Sequence, residues 1–83
     1  MIVNVYRKPQ CNRCDATEKY LDRQGIEYNE IDVLEDKEGF EFIKAQGFNV
    51  APVVFLYDDE GEVIDAWGDL RPDKLEQHFP RKR

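Results

Sequence analysis

The run Val53–Tyr57 constrains the fold of this chain more than any other segment. Five apolar residues, mostly β-branched or aromatic, predict a strand, since the run is too short for an independent helix. The strand has no polar face, so both of its faces should be covered, as at a central position in a sheet. Residues 58–61 predict a turn and residues 62–66 a returning strand, which together make a hairpin.

The remaining segments alternate between strand and helix patterns. Residues 2–7 and 27–33 predict two more strands, and helices are predicted over residues 12–24 and 35–46. A last helix is predicted to start at Pro72, where its missing N–H costs nothing. The order is β-α-β-α-β-β-α, and a right-handed crossover makes the first two strands parallel. We therefore predict an α/β fold with a four-stranded mixed sheet and helices on both faces.

The second predicted helix contains a conflict. Its apolar stripe is expected to consist of Phe40, Phe42 and Ile43. Gly39 lies within the same segment and lowers helix propensity. The helix is predicted despite this residue.

Size and charge limit the function classes. The chain has 83 residues, 36% of them charged, and a net charge of −6. This size predicts one domain, residues 1–80, followed by a basic tail, residues 81–83. An acidic surface disfavours nucleic-acid binding, and Asn4 and Arg7 interrupt the N-terminal apolar run before it could form a secretory signal. We expect a cytoplasmic monomer with no nucleic-acid or membrane partner.

Cys11 and Cys14 are the only cysteines, and they follow the first predicted strand where a helix begins. A pair with this spacing is typical of proteins that pass two electrons through a reversible disulfide. Cys11 lies at the start of the helix, where free N–H groups and the helix dipole stabilise a thiolate. Cys14 lies one turn later and faces inward. We therefore predict Cys11 as the attacking thiol and Cys14 as the resolving thiol.

Basic residues surround this pair in an otherwise acidic chain. Lys8 and Arg13, with Arg7 nearby, should favour the Cys11 thiolate, and Asp15 is expected to be solvated. The pKa of Cys11 is therefore predicted to lie below the ordinary value of ~8.5. The alternative is that these cations are ordinary surface residues.

Other interpretations of the pair are weaker. A structural disulfide across so short a loop adds little stability. A metal site would need Cys11, Cys14, His78 and an acid together, whereas His78 is expected at the surface, so no metal is predicted. Pro52, directly before the central strand, would turn the Ala51 backbone toward an incoming chain if its peptide bond were cis, which the residues alone leave open.

Three segments span nearly the whole chain: Tyr6-x-Lys8-Pro9-x-Cys11-x-x-Cys14, Gly47-Phe48-x-x-Ala51-Pro52-Val53-Val54 and Trp67-x-x-Leu70-Arg71-Pro72-Asp73-Lys74-Leu75. In this order and with this spacing, they resemble the glutaredoxin-like redoxins of the NrdH type.

The resemblance implies a thioredoxin fold with a cis bond at Pro52 and no bound cofactor. It also implies a hydrogen donor for ribonucleotide reductase in deoxyribonucleotide synthesis, recharged with NADPH electrons by thioredoxin reductase rather than by glutathione. By position it assigns attack and resolution to Cys11 and Cys14. The implied substrate or partner contacts are Ala51, Pro52, Trp67 and Arg71.

Two departures from that family matter. It usually has an apolar residue and a Gln between the cysteines, where this chain has Asn12 and Arg13. Arg13 predicts a more oxidising disulfide, because it favours the thiolate form. Gly68-Asp69 resembles the glycine-aspartate segment with which glutaredoxins hold glutathione, so a glutathione-dependent glutaredoxin remains an alternative. A metal or iron–sulfur adaptor built on the cysteine pair is an alternative of another class.

Overall fold

The computed structural model describes residues 1–81 and contains seven elements along this part of the chain. In chain order they are β1 (Ile2–Arg7), α1 (Asn12–Arg23), β2 (Asn29–Asp32), α2 (Lys37–Ala45), β3 (Val53–Tyr57), β4 (Val63–Gly68) and α3 (Pro72–His78). The longest helix has 12 residues, and no helix in this range has the length and apolar composition needed to cross a membrane.

The four strands form one mixed sheet in the order β2-β1-β3-β4. β1 runs parallel to β2 and antiparallel to β3, and β3 runs antiparallel to β4. The predicted parallel pair, hairpin and central position of β3 are all confirmed. β3 is central because every residue from Val53 to Leu56 is buried, which requires neighbours on both edges and both faces.

Two apolar clusters cover the two faces of the sheet. The larger one joins the sheet to α1 and α3 and consists of Val3, Val5, Leu21, Val54, Leu56, Trp67, Leu75 and Phe79. The smaller one joins the other face to α2 and consists of Tyr6, Ile43, Val53 and Phe55. Adjacent residues of β3 therefore point to opposite faces, and the helices lie on both sides as predicted.

The edge strand β2 is shorter than predicted. It pairs only with β1, from Asn29 opposite Asn4 to Asp32 opposite Arg7, and the Val33 N–H still donates to the Arg7 carbonyl oxygen at 2.8 Å. Its alternation follows the sequence: Tyr28 packs against the larger cluster, whereas Ile31 packs against the smaller one.

Gly39 in α2 has a steric role that its low helix propensity concealed. A Cβ at this position would lie 2.8 Å from Cγ2 of Ile31 in β2, so a side chain would force the helix away from the sheet. The predicted stripe is wrong for Phe40, whose residue surface is 42% exposed, whereas Ile43 is buried and Phe42 packs against the cluster.

The last helix is attached to β4 through Asp65. Lys74 Nζ lies 2.8 Å and His78 Nε2 lies 2.9 Å from Asp65 Oδ2. The His78 ring also stacks on Trp67, with ring centroids 5.7 Å apart. His78 was expected at the surface, and its side chain is instead only 14% exposed, because β4 supplies both a carboxylate and an aromatic face.

Of the predicted basic tail, only residue 81 belongs to the part of the chain that the structure describes. Arg81 is exposed, and its Nε lies 3.1 Å from Oε1 of Glu76. Its guanidinium also lies over the Tyr20 ring, 6.0 Å from the centroid. Residues 82–83 lie outside the described residues.

We predict that Asp65→Asn lowers the free energy of unfolding at pH 7 by about 1–2 kcal/mol. The hydrogen bond from Lys74, together with that from His78, outweighs burial and lowers the pKa of Asp65 to about 2. A lowered pKa contributes stability above the unfolded value of ~3.9, and that contribution is lost as the pH falls through the folded value. Urea unfolding at several pH values should therefore show the wild-type advantage shrinking between about pH 4 and 2.

The control for this prediction is Asp59→Asn. Asp59 pairs with the N-terminal amine, but its side chain is 94% exposed, so its removal should change stability by less than about 0.5 kcal/mol. Equal losses in the two variants would contradict the role of Asp65 in holding α3.

Candidate active site

Strand register brings three separate segments to one end of the sheet. Tyr6 near the end of β1 lies opposite Val53 at the start of β3, and Val53 lies opposite Gly68 at the end of β4. The segments that follow β1, precede β3 and follow β4 therefore meet at this end of the sheet. A hydrogen bond joins two of them directly, since the Asp69 N–H donates to the Pro52 carbonyl oxygen at 2.8 Å.

Cys11 and Cys14 form a disulfide at this end of the sheet, with their Cα atoms 5.2 Å apart. Cys11 is the N-cap of α1, and its Sγ accepts a hydrogen bond from the Cys14 N–H at 3.2 Å. The sulfur therefore lies at a helix N-terminus, where unpaired N–H groups favour a negative charge. Cys11 is 8% exposed and Cys14 is 0% exposed. This order of exposure matches the predicted roles of attacking and resolving thiol.

The Ala51-Pro52 peptide bond is cis, as the family resemblance implied. The Pro52 side chain is fully buried, whereas Ala51 is half-buried at the surface of the same loop. Of these two residues, only Ala51 has a side chain that is accessible to a partner. The predicted contact at Pro52 can therefore involve its backbone but not its buried side chain.

An apolar groove of about 290 Å³ runs from the cysteine loop along α2. Its lining combines mostly apolar side chains with two lysines and one asparagine: Lys8, Val33, Leu34, Phe40, Ile43, Lys44, Phe48, Asn49, Val50 and Ala51. Leu34 is 71% exposed and Val50 is 41% exposed. An extended segment with an apolar side chain can bind here, beside Lys8 and Ala51.

The groove approaches β4 closely at Gly68. A Cβ at this position would lie 2.8 Å from Cγ2 of Val50 and 3.1 Å from Cδ1 of Phe48. Gly68 therefore lets the loop before Pro52 pack directly against the end of β4. The requirement at this position is space, which the sequence pattern by itself did not indicate.

Arg7 does not add free positive charge to the site. Its Nη1 lies 2.7 Å from Glu18 Oε1, and its Nη2 lies 2.9 Å from Asp15 Oδ1. Asp15 is exposed as expected, with 55% of its side chain accessible, but it also pairs with Arg7. Arg7 is bound because the first two turns of α1 place two carboxylates beside the end of β1.

Arg13 is paired as well. Its Nη1 donates to both carboxylate oxygens of Asp69, at 3.0 and 3.1 Å. Lys8 is exposed and lines the groove. Of the two predicted thiolate-tuning residues, one is thus held by a carboxylate across the loop and the other faces the groove.

Two predicted partner contacts differ in exposure. Trp67 is 3% exposed and belongs to the larger apolar cluster, so it supports the site from below and cannot meet a partner. Arg71 is accessible, although its guanidinium binds the Asp73 carboxylate at 2.8 Å. The prediction of Trp67 as a contact is therefore corrected to a core position.

Glu18 is the buried polar residue that the sequence interpretation missed. It is 8% exposed, and its Oε2 has no hydrogen-bond partner. The available signal was its spacing of four residues from Cys14, which places both on one side of α1. Across residues 1–81 no group of three or more Cys, His, Asp or Glu side chains is arranged to hold a metal ion.

Comparison with known proteins places this site in a family. The family model described as Glutaredoxin matches residues 3–61. The glutaredoxin-like protein NrdH of Escherichia coli K12 is 30% identical over 80 residues, which cover 96% of this chain and 91% of the relative. The NrdH protein of Lactococcus lactis subsp. cremoris is 38% identical over 74 residues, covering 89% and 94% of the two chains.

The fold agrees with a solved structure over its full length. The NrdH-redoxin of Escherichia coli superposes with a TM-score of 0.82 at 29% identity, covering 99% of this chain and 100% of the other. The thioredoxin fold predicted from the sequence is confirmed. The cysteine pair therefore lies in the fold of known thiol–disulfide proteins.

We predict that Glu18→Gln removes a pH-dependent part of stability. Burial, together with Glu30, outweighs Arg7 and raises the pKa of Glu18 to about 7. A raised acid pKa favours folding fully below the unfolded value of ~4.3, and this contribution is lost as the pH rises through about 7. Wild-type unfolding free energy should fall between about pH 5 and 8 by on the order of 2 kcal/mol relative to the variant.

Chemical denaturation across this pH range is the measurement. Glu41→Gln, at an exposed position of α2, is the matched control and should keep the wild-type profile. Parallel profiles for wild type and Glu18→Gln would show that Glu18 is ionised throughout.

Proposed function

The chain belongs to the glutaredoxin family, as a thiol–disulfide oxidoreductase of the NrdH type, and we propose that it is the hydrogen donor of a ribonucleotide reductase. In this proposal thioredoxin reductase recharges it with electrons from NADPH, and it works as a cytoplasmic monomer without a bound cofactor. The observation that carries the proposal is the full-length likeness to NrdH-redoxin, centred on a disulfide at the start of α1.

The proposed reaction transfers two electrons through the cysteine pair. The Cys11 thiolate attacks one sulfur of the partner's disulfide, forms a mixed disulfide and releases the other partner sulfur as a thiolate. Cys14 then loses its proton and attacks Cys11 Sγ, which closes the Cys11–Cys14 disulfide and releases the second partner thiolate. The partner gains the Cys14 proton and one proton from solvent, while this chain is oxidised.

The surroundings of each sulfur fit these roles. Cys11 Sγ already accepts the Cys14 N–H, so a donor is in place for the charge on the attacking sulfur. Cys14 is fully buried, which protects it from external disulfides until the mixed disulfide brings a sulfur within its reach. In the disulfide form the two Cα atoms lie 5.2 Å apart, which is within the ordinary range for a disulfide.

Recycling by thioredoxin reductase rather than by glutathione has two supports. The E. coli NrdH-redoxin is described as having a thioredoxin-like activity profile. Asp69, at the position where the sequence resembles a glutathione-holding aspartate, already accepts hydrogen bonds from Arg13 and from the Leu70 N–H. A glutathione amino group would have to compete with both.

The apolar groove beside Ala51 is the proposed docking surface for the partner's cysteine-bearing segment. Phe40 and Val50 offer exposed apolar area, and Lys8 and Lys44 supply positive charge along it. An extended segment with an apolar residue near its cysteine, flanked by acidic residues, matches this lining.

A coupled NADPH assay with two recycling systems tests the proposal. The oxidised protein is supplied with thioredoxin reductase in one series and with glutathione plus glutathione reductase in the other, with a ribonucleotide reductase disulfide as the final acceptor. We expect turnover in the first series and at least ten times less in the second. The opposite ratio would identify a glutathione-dependent glutaredoxin.

We also predict that Cys14→Ser abolishes turnover of protein disulfides while preserving attack. Cys11 should still form a mixed disulfide, but without the second sulfur the mixed disulfide cannot be resolved within the molecule. Mass spectrometry should find the partner covalently attached to Cys11. Sustained turnover by this variant would mean that Cys11 works alone with an external thiol.

A further inference from the structure

We propose that Asp69 is a positioning residue that holds Arg13 and thereby limits how far Arg13 stabilises the Cys11 thiolate. The proposal concerns the chain's own dithiol chemistry and does not depend on which partner or reductase it serves. It rests on one assignment from the proposed function, namely Cys11 as the attacking thiol.

The pair connects the cysteine loop to the end of β4. Arg13 lies between the two cysteines in the first turn of α1, and one of its terminal nitrogens donates to both oxygens of the Asp69 carboxylate. The two residues are 56 positions apart in sequence. Their side chains are 63% and 42% exposed, so the pair lies at the surface beside the disulfide.

Asp69 is held in place independently of Arg13. Its N–H donates to the Pro52 carbonyl oxygen at 2.8 Å, and its Oδ1 accepts the Leu70 N–H at 2.8 Å. Its backbone has φ of +73°, a conformation that Asp and Asn adopt more readily than most side chains. The carboxylate is therefore a fixed anchor, and the flexible partner in the pair is Arg13.

Of the two arginines near the cysteines, Arg13 is the one whose effect on Cys11 depends on Asp69. The guanidinium of Arg7 is already bound by Asp15 and Glu18 at the side of α1. An exposed ion pair is weak, so the hold of Asp69 on Arg13 reduces, but does not abolish, the attraction of Arg13 to a second anion nearby. Reduction of the disulfide takes up two electrons and one proton when Cys11 is left as a thiolate, which creates such an anion.

This arrangement changes the expectation drawn from sequence. Arg13 between the cysteines predicted a more oxidising disulfide, and Arg13→Gln was expected to lower the potential. With Asp69 present, we now expect that substitution to have little effect. The full effect of Arg13 should emerge only when the Asp69 carboxylate is removed.

A double-mutant cycle tests the proposal with wild type, Arg13→Gln, Asp69→Asn and the double variant. Asparagine at position 69 tolerates the same backbone conformation and keeps an oxygen for the Leu70 N–H, while it loses the charge. The first readout is the ratio of dithiol to disulfide in a glutathione redox buffer. The second is the pH dependence of the Cys11 alkylation rate, with the labelled cysteine identified by peptide mass.

Asp69→Asn alone should raise the equilibrium constant for reduction about two- to five-fold, the range expected for one exposed ion pair. Its alkylation profile should shift to lower pH. Arg13→Gln and the double variant should both stay within about two-fold of wild type. The Asp69→Asn effect should shrink in ~1 M salt, because exposed charges are then screened within ~3 Å.

Three results would overturn the proposal. One is an equal effect of Arg13→Gln in both backgrounds, which would mean that the two charges act independently. The second is a wild-type equilibrium in Asp69→Asn and also in Asp69→Gly, which keeps the positive φ without any side chain. The third is faster alkylation of Cys14 than of Cys11. Asp59→Asn removes one charge at the opposite end of β3 and should match wild type in both readouts.

Discussion

The antiparallel register of β1 and β3 is the constraint on which the rest of this structure depends. Tyr6 lies opposite Val53, so the chain leaves β1 for the cysteine loop at the same end of the sheet where it enters β3 through Pro52. Pairing of β3 with β4 then brings Asp69 to the same end of the sheet. Val53–Leu56 are buried and alternate between the two apolar clusters, so a shift of one residue would exchange the side chains that each cluster receives.

Both arginines near the cysteines are paired with carboxylates, whereas Lys8 is exposed and lines the groove. Counting the basic residues near the cysteines in the sequence therefore overestimates the positive charge that is available to stabilise a thiolate. Arg7 is bound by two carboxylates of α1, and Arg13 is bound by Asp69. The N-terminus of α1 remains as a source of thiolate stabilisation that no side chain neutralises, since it consists of backbone N–H groups. The reactivity of Cys11 therefore depends on the helix as well as on the cations.

The predictable parts of the molecule are those with local causes. β1, β3 and the start of α3 lie where the sequence placed them, because apolar runs and Pro72 act within a few residues. The position of Cys11 at the start of α1 was also predictable, since a helix N-terminus is a local feature. Phe40 and Trp67 were misjudged for a different reason: one apolar residue of a predicted stripe is exposed, and one predicted contact is buried. Their exposure depends on which element packs above them.

The sequence by itself determined the order of the elements, the mixed sheet, the dithiol chemistry and, through resemblance, the NrdH-type family. Only the tertiary structure decided that Arg13 and Asp69 meet, that Glu18 is buried beside Arg7 and that Gly68 admits the loop before Pro52. Hydrophobic periodicity and spacing predict the local structure of residues that are close together in the chain. A contact across 56 positions depends on strand register and loop path, which no single segment records.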